Sequence, residues 1–227
     1  MSSLDLYAKI EPLIGFYEAY ETLYERYLKL LKPLHVKTIL DIGCGNGVFL
    51  KHLSEEGYEA FGVDRSVQMV KRACELGVNA RAQELCEVSQ NFDVACAVAD
   101  VLNYILPEEL DDFFSQVGQR VCKDGYFLAD INTQYGFEEV AQGVMCHNSS
   151  ENFLCIDANY EKKILQTDIT FFEQEGFLYR KEEGTILQYF HDTSVFKKIS
   201  HFKLIKTIPF SLFSQKADKI ILVMQKI

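Results

Sequence analysis

The sequence predicts an α/β fold with a doubly wound, mostly parallel sheet of seven strands and a small antiparallel β insertion. Up to residue 131, short apolar strands alternate with helical segments, which is typical of parallel strands joined by right-handed crossovers. After residue 132, strands follow one another with turns and no helices between them, which indicates an antiparallel sheet. Two last strands, 201–210 and 219–226, are interpreted as the closing hairpin of the main sheet.

The elements of the main sheet are predicted from hydrophobic spacing. Apolar and aromatic residues recur at helical spacing from Leu4 to Leu31, and Lys32-Pro33 ends this pattern because proline cannot continue a helix. Five strands are then expected at 38–42, 60–64, 78–82, 92–98 and 125–131, with helices over 48–53, 66–76 and 108–122. We expect these elements to place the main domain at residues 1–134.

The insertion is predicted at residues 135–191, as a lid over the substrate. Its expected strands are 144–146, 153–160, 164–172, 177–181 and 185–190, with turns at 148–150, 174–176 and 182–184. A helix over 192–199 follows, and residues 192–227 are assigned to the main domain. Because the chain returns to the main sheet, this segment is interpreted as an insertion and not as a second domain.

Composition limits the classes of partner. The 227 residues are 48% hydrophobic and 25% charged, as in globular proteins, and the formal net charge of -10 disfavours nucleic acid as a partner. Seven cysteines without a C-x-x-C pair or metal-ligand spacing are interpreted as reduced thiols of a cytoplasmic protein without a metal site. No secretion or membrane-spanning segment is found. We expect a small-molecule partner and a monomer or homodimer.

The turn after the first strand carries the strongest chemical signal. It contains Gly43, Gly45 and Gly47 in the spacing G-x-G-x-G, and Val48 stands where a dinucleotide-binding loop requires its third glycine. Asp41 ends the strand, where a buried carboxylate needs a cation or a hydrogen-bond donor. S-adenosylmethionine (SAM) offers an ammonium group there, whereas the pyrophosphate of a nicotinamide dinucleotide would be repelled. A nucleotide-dependent oxidoreductase is therefore disfavoured.

The end of the second strand supports a nucleoside ligand. Asp64 follows Asp41 by 23 positions, and a carboxylate at this point can accept both hydroxyl groups of a ribose. Taken alone, either aspartate is equally well explained as a cap or turn residue. Their combination with the glycines predicts a nucleoside-containing cofactor.

At these residues the sequence resembles the class I SAM-dependent methyltransferases, over nearly the whole chain. Asp41-Ile-Gly-Cys-Gly-Asn-Gly47 is similar to their first motif, Gly62-Val-Asp-Arg-Ser-Val-Gln-Met69 to their second and Phe92-Asp-Val-Ala-Cys-Ala-Val98 to their fourth. The resemblance implies a Rossmann-like methyltransferase fold and SAM as cofactor, with S-adenosylhomocysteine (SAH) as its product. It implies further cofactor contacts from Cys44, Asn46, Arg65, Met69, Gln83, Glu84, Leu85 and Val98. At the adenine edge the family usually has an aspartate, and here Gln83 and Glu84 stand in its place.

The acceptor site is expected at the carboxyl ends of the strands. A narrower resemblance, to bacterial small-molecule methyltransferases with D-x-x-N-Y and an antiparallel insertion after the fifth strand, rests on Asp100-Val-Leu-Asn-Tyr104. Asn103 and Tyr104 are candidates for orienting the acceptor and Asp130 for attracting or deprotonating an amine. Tyr7 resembles a tyrosine that covers the cofactor. Each residue also has a purely structural alternative, as a cap, a turn or a packing residue.

The predicted activity is methyl transfer from SAM to a nitrogen or oxygen atom of a small molecule by in-line displacement. Such a reaction gains rate from alignment and exclusion of water, so a dedicated base is optional. A SAM-binding protein without turnover is the main alternative function.

Overall fold

The central feature of the fold is a seven-stranded sheet in the order β10-β11-β5-β4-β1-β2-β3, which confirms the predicted fold class. The computed structural model describes residues 2–227, apart from the side chain of Tyr17. Strands β1 to β5 run parallel, and β11 is antiparallel to both β5 and β10. The strands are β1 (Thr38–Ile42), β2 (Glu59–Asp64), β3 (Ala80–Ala82), β4 (Phe92–Ala97), β5 (Val121–Asn132), β10 (Phe202–Phe210) and β11 (Lys219–Lys226).

Helices cover both faces of this sheet. They are α1 (Ser3–Ile14), α2 (Tyr17–Leu31), α3 (Val48–Glu55), α4 (Val67–Glu75) and α5 (Leu110–Arg120). One core cluster packs α5 against the sheet, and a second packs α2, α3 and α4 against the opposite face. The central strands β1 and β4 are therefore apolar on both sides, as expected of strands between two layers of helices.

A separate antiparallel sheet, the inserted sheet, follows β5. It has the order β6-β7-β8-β9, with β6 (Gly143–Asn148), β7 (Asn152–Glu161), β8 (Ile164–Glu175) and β9 (Leu178–Tyr189). One π-helical turn, Gly136–Ala141, connects it to the main sheet. The apolar side of α1, including Leu6 and Ile10, packs on the inserted sheet, so this helix contacts both parts of the molecule.

The prediction of two short strands separated by a turn at 182–184 was wrong, because β9 is continuous. Glu182 accepts a hydrogen bond from Lys9 of α1 at 2.8 Å. A side chain at position 184 would come within 3.1 Å of Leu6, so Gly184 allows α1 to lie close to the strand. The polar and glycine residues that looked like a turn are the contact surface for a helix.

Two other boundaries differ from the prediction. The segment 192–199 contains only the 3-10 turn Val195–Lys197 and not a full helix. Strand β5 begins at Val121 instead of Gly125, because the chain enters the sheet through an irregular pairing with β4. Neither difference moves a residue at the carboxyl end of the main sheet.

Candidate functional site

The glycine turn, residues 43–47, joins β1 to α3 at the carboxyl end of the sheet. Gly43, Gly45 and Gly47 all have positive φ angles, of 71°, 53° and 82°. A side chain at Gly47 would come within 2.6 Å of Ala73, whereas nothing lies within 4 Å at Gly45. Gly47, predicted to contact the cofactor, is therefore a packing residue that lies outside the cavity lining, and Gly45 leaves its backbone open to a ligand.

Asp41, the next-to-last residue of β1, is a buried carboxylate that is only 2% exposed. Its Oδ1 atom has no hydrogen-bond partner among the residues that the structure describes. Burial, and secondarily the charge of Asp64, raises the pKa of this carboxyl well above its usual value. An unpaired buried carboxylate is costly. A ligand that brings a positive charge or a hydrogen-bond donor to this point would therefore be stabilised.

Asp64 ends β2 and connects two turns. Its Oδ2 accepts the amide hydrogen of Gly45 at 2.9 Å, and its Oδ1 accepts that of Ser66 at 2.8 Å. Burial raises its pKa, although both of these hydrogen bonds act to lower it. Each oxygen keeps a further acceptor position, so the carboxylate can still accept a pair of hydroxyl groups.

The next turn carries the residues predicted at the adenine edge. The carboxylate of Glu84 already has partners in the protein. It forms an ion pair with Arg65 at 2.9 Å and a reciprocal cap with Glu87. The Gln83 carboxamide makes no hydrogen bond with the part of the chain that the structure describes. Buried Met69 and Leu85 flank the same space. Of the two residues predicted at the adenine edge, Gln83 is the one whose side chain is available to hydrogen-bond a ligand.

These residues line one end of a cavity of about 980 Å³ that continues to the inserted sheet. The described lining contains eight carboxylates and one basic side chain, that of Arg65, which is paired with Glu84. The carboxylates are Glu11, Asp41, Asp64, Glu84, Asp100, Glu109, Asp112 and Asp218. This electrostatic field favours cationic or neutral ligands over anionic ones.

The turn after β4 forms the middle of the cavity wall. Val98 lines the cavity there, and Ala99 and Asp100 follow it with positive φ angles of 63° and 68°. Asp130 accepts the amide hydrogens of both Ala99 and Asp100, at 2.8 and 3.2 Å, and the hydroxyl of Tyr27 at 2.8 Å. Fully buried Asp130 thus holds the turn in a conformation that non-glycine residues rarely adopt.

Two predicted acceptor residues lie behind the cavity wall and do not line it. Asp130 is fully buried and holds the turn described above, so it does not reach an acceptor amine. Asn103 is also fully buried, and its amide donates to the Tyr189 carbonyl at 2.8 Å and accepts from the Asn132 amide at 2.9 Å. For both residues the geometry supports a structural role rather than contact with an acceptor.

Four tyrosine side chains line the cavity. Tyr7 and Tyr104, both predicted from the sequence, line it together with Tyr20 and Tyr24 of α2. Burial raises the pKa of Tyr20 and Tyr24 above the ordinary tyrosine value. Tyr104 is 36% exposed, so burial has a weaker effect on its pKa. Protonated hydroxyl groups at these positions can donate hydrogen bonds to a ligand.

Lys219, at the start of β11, is a buried residue of the site that sequence reasoning missed. Its ammonium group contacts Asp100, lies 3.3 Å from Asp130 Oδ2 and 3.1 Å from Asn132 Oδ1, and is only 1% exposed. Burial lowers its pKa. The sequence signal was a lone lysine opening an apolar strand, which is indistinguishable from a surface residue until the strand pairs with β5.

The matching family model is described as a methyltransferase domain and covers residues 16–193. The chain belongs to the methyltransferase-domain family. The prediction of a class I SAM-dependent methyltransferase is thereby confirmed, and SAM is the cofactor of this family.

Several known proteins are similar to this methyltransferase. A predicted methyltransferase from Geobacillus sp. is 27% identical over 168 residues, which is 69% of this chain and 68% of that protein. A SAM-dependent methyltransferase from Clostridium acetobutylicum shares the fold with a TM-score of 0.77, at 18% identity, over 97% of this chain and 96% of that one. A sugar N-methyltransferase from Streptoalloteichus sp. has a TM-score of 0.71 at 13% identity, over 97% and 92% of the two chains.

The residues of the site fit SAM. The unpartnered Asp41 oxygen, the open backbone at Gly45 and the excess of carboxylates suit a ligand that carries an ammonium and a sulfonium. In residues 2–227 there is no group of three His, Cys, Asp or Glu side chains that could hold a metal ion. No helix within those residues is long and apolar enough to cross a membrane.

Proposed function

We propose that this methyltransferase transfers the methyl group of SAM to a nitrogen or oxygen atom of a small-molecule acceptor. The observation that carries the proposal is the single cavity that runs from Asp41 and Asp64 to the inner face of the inserted sheet. Cofactor and acceptor would meet inside it, beside Val98 and Tyr104. The unpaired cysteines favour a reducing compartment such as the cytoplasm, and the protein would act there as a monomer or homodimer.

The cofactor would be held by the carboxyl ends of β1 and β2. Asp41 would accept from its ammonium group, the glycine turn would lie along its methionine part, and Asp64 would accept its ribose hydroxyls. Met69 and Leu85 would pack on the adenine, and the free carboxamide of Gln83 would contact the adenine amine. The occupied carboxylate of Glu84 makes it the weaker candidate for that last contact.

The protein would act on the chemical step through alignment and exclusion of water. When bound, SAM supplies an electrophilic methyl group on a positively charged sulfur. The tyrosines at 7, 20 and 104 would close the space around that methyl group and donate hydrogen bonds to the acceptor. Residues 135–191 would form a lid, because the inner face of the inserted sheet supplies the far wall of the cavity.

A transfer assay with methyl-labelled SAM and a metabolite extract tests this function. We expect labelled small molecules to appear, and their analysis by mass spectrometry and NMR would identify the methylated atom. The Asp64→Ala variant should weaken SAM binding by about 1–3 kcal/mol, because a charged hydrogen-bond acceptor is lost. Its transfer at limiting SAM should fall accordingly.

The matched control is Asp93→Ala. Asp93 also accepts two backbone amide hydrogens, from Lys37 and Thr38, but it lies at the opposite end of the main sheet. SAM affinity should be unchanged in this variant. Tight SAM binding without transfer to any component of the extract would support the non-catalytic alternative instead.

A further inference from the structure

The wall of the cavity that faces the cofactor is the inner face of the inserted sheet, and we name the space beneath it the acceptor chamber. Its apolar lining consists of Met145, Ile156, Ala158, Leu165, Ile169 and Ile186. They lie on the inner face of β6 to β9, where Met145, Ile156 and Ile169 are opposite one another in the strand register. Thr167, opposite Ala158 and Ile186, contributes a hydroxyl group to the same face. The acceptor chamber therefore suits a ligand whose surface is largely apolar.

Gln188 interrupts this apolar surface. It lies on β9, is only 9% exposed and lines the same cavity. Its carboxamide has no hydrogen-bond partner among residues 2–227. The carboxamide faces the cavity, so a polar group of a bound ligand can take the place of water as its hydrogen-bond partner.

Asn132 supplies a second polar group from the main sheet. It ends β5, is 8% exposed and also lines the cavity. Its Oδ1 atom accepts a hydrogen bond from Lys219 Nζ at 3.1 Å. Because an ammonium group only donates, this contact fixes the orientation of the amide and leaves Nδ2 as a donor for a ligand. Lys219 thus acts as a positioning residue.

Asn103 holds these two residues near each other. Its side chain donates to the carbonyl of Tyr189, next to Gln188, and accepts from the backbone amide of Asn132. One buried carboxamide therefore joins the end of β9 to the end of β5. The backbone segments that carry Gln188 and Asn132 are thus connected across the two sheets.

The charges of the acceptor chamber restrict the ligand further. Lys219 is paired with Asp100 and Asp130, and Arg65 is paired with Glu84, so the described lining offers no free cation to an anionic group. We propose that Gln188 and Asn132 form a hydrogen-bonding subsite that selects a largely apolar acceptor carrying a hydroxyl group and no negative charge. This inference rests on the proposed function and specifies its substrate class.

The test is calorimetric binding of three probes to the protein saturated with SAH. The probes are 4-propylphenol, 4-propylanisole, whose hydroxyl is capped, and 4-propylbenzoate, which is anionic. The phenol should bind about tenfold more tightly than either of the others, since one buried hydrogen bond contributes about 1.4 kcal/mol. In Gln188→Met, the affinity for the phenol should fall about tenfold and that for the anisole should not change.

Two further variants make the test specific. Gln166→Met changes the same residue type on the outer face of the inserted sheet, and it should leave the binding of all three probes unchanged. Gln188→Glu keeps an acceptor for the phenol hydroxyl, so it should bind the phenol like the wild type and the benzoate more weakly. This second substitution keeps the proposal testable if Gln188→Met does not fold.

Three results would overturn the subsite: equal losses for phenol and anisole in Gln188→Met, the same effect in Gln166→Met, or tightest binding of the benzoate. Failure of every probe to bind the SAH complex would overturn the proposed substrate class and leave the methyltransferase function intact. Failure of SAH itself to bind would contradict the proposed function, and the subsite with it.

Discussion

Asp41 shows how a single residue specifies the chemistry of the site. Its position at the end of a buried strand keeps it from water, and the described structure gives its Oδ1 no partner. The free protein therefore holds a carboxyl with a raised pKa, which a cationic ligand would stabilise in its ionised form. Cofactor binding and proton release should be linked at this residue.

We predict that SAM binding releases protons and becomes tighter as the pH rises toward and through the raised pKa of Asp41. The sign follows from the pKa of Asp41, which is raised in the free protein and is lowered again by the ammonium of the bound cofactor. Calorimetry in two buffers with different heats of ionisation measures the number of protons released. Asp41→Asn should bind SAM more weakly, by about 1–3 kcal/mol, and without this release.

Proton uptake by the wild type would contradict the assignment of Asp41 to the ammonium group. An equal release in Asp41→Asn would attribute the linkage to another carboxyl group, of which Asp64 is the nearest candidate because its pKa is also raised.

At the scale of elements, the turn between β4 and the following 3-10 helix, Val101–Tyr104, has a strained backbone that hydrogen bonds stabilise. Ala99 and Asp100 both have left-handed backbone conformations, which cost a residue with a side chain about 1–2 kcal/mol each. Asp130 compensates by accepting both amide hydrogens. The strained turn carries Asp100 into the cavity wall, where it pairs with Lys219.

We predict that Ala99→Gly stabilises the protein by roughly 0.5–1 kcal/mol. Glycine relieves the left-handed strain, and this gain exceeds its greater loss of chain entropy on folding. The matched control is Ala97→Gly, two residues earlier in buried β4, which should destabilise by about 1 kcal/mol because glycine weakens a strand. Free energies of unfolding from urea titrations measure both effects. A loss of stability in Ala99→Gly similar to that in Ala97→Gly would show that strain is not significant at this turn.

At the scale of the whole molecule, α1 links the cofactor side of the cavity to the inserted sheet. Asp5 accepts from the Ser66 hydroxyl at 2.7 Å, and Asn46 of the glycine turn donates to Glu11 at 2.9 Å. On the other side, Lys9 pairs with Glu173 and Glu182 at 2.6 and 2.8 Å. One helix therefore contacts both turns that are proposed to bind the cofactor and two strands of the inserted sheet.

Lys9→Met should loosen this connection. Lys9 is 23% exposed and Glu182 14%, so the ion pair is partly shielded and contributes about 1 kcal/mol. Hydrogen exchange followed by mass spectrometry should show about fivefold faster exchange in α1 and in β9 around Glu182. Lys181→Met is the control, because it breaks an exposed pair with Glu183 on the outer face of the same strand. Equal effects of the two substitutions would mean that α1 is held by its apolar contacts alone.

The sequence by itself determined the cofactor end of the molecule. The alternation of strands and helices predicted the main sheet, and Asp41, the glycine turn and Asp64 predicted the class of cofactor. These signals are local, since a strand, its turn and the next helix are adjacent in the chain, and their chemistry depends on the spacing of a few residues. The residue contacts expected from the family resemblance remain predictions.

Only the tertiary structure decided the acceptor end. Asn103 and Asp130 were predicted to contact an acceptor, but contacts with Tyr189 and Lys219, distant in the chain, place them behind the wall. The same contacts bring Gln188 and Asn132 to the cavity, although neither has a motif around it. Polar residues of this kind look alike in sequence whether they hold the fold or a ligand. What distinguishes them is whether their hydrogen bonds are completed by residues far away in the chain.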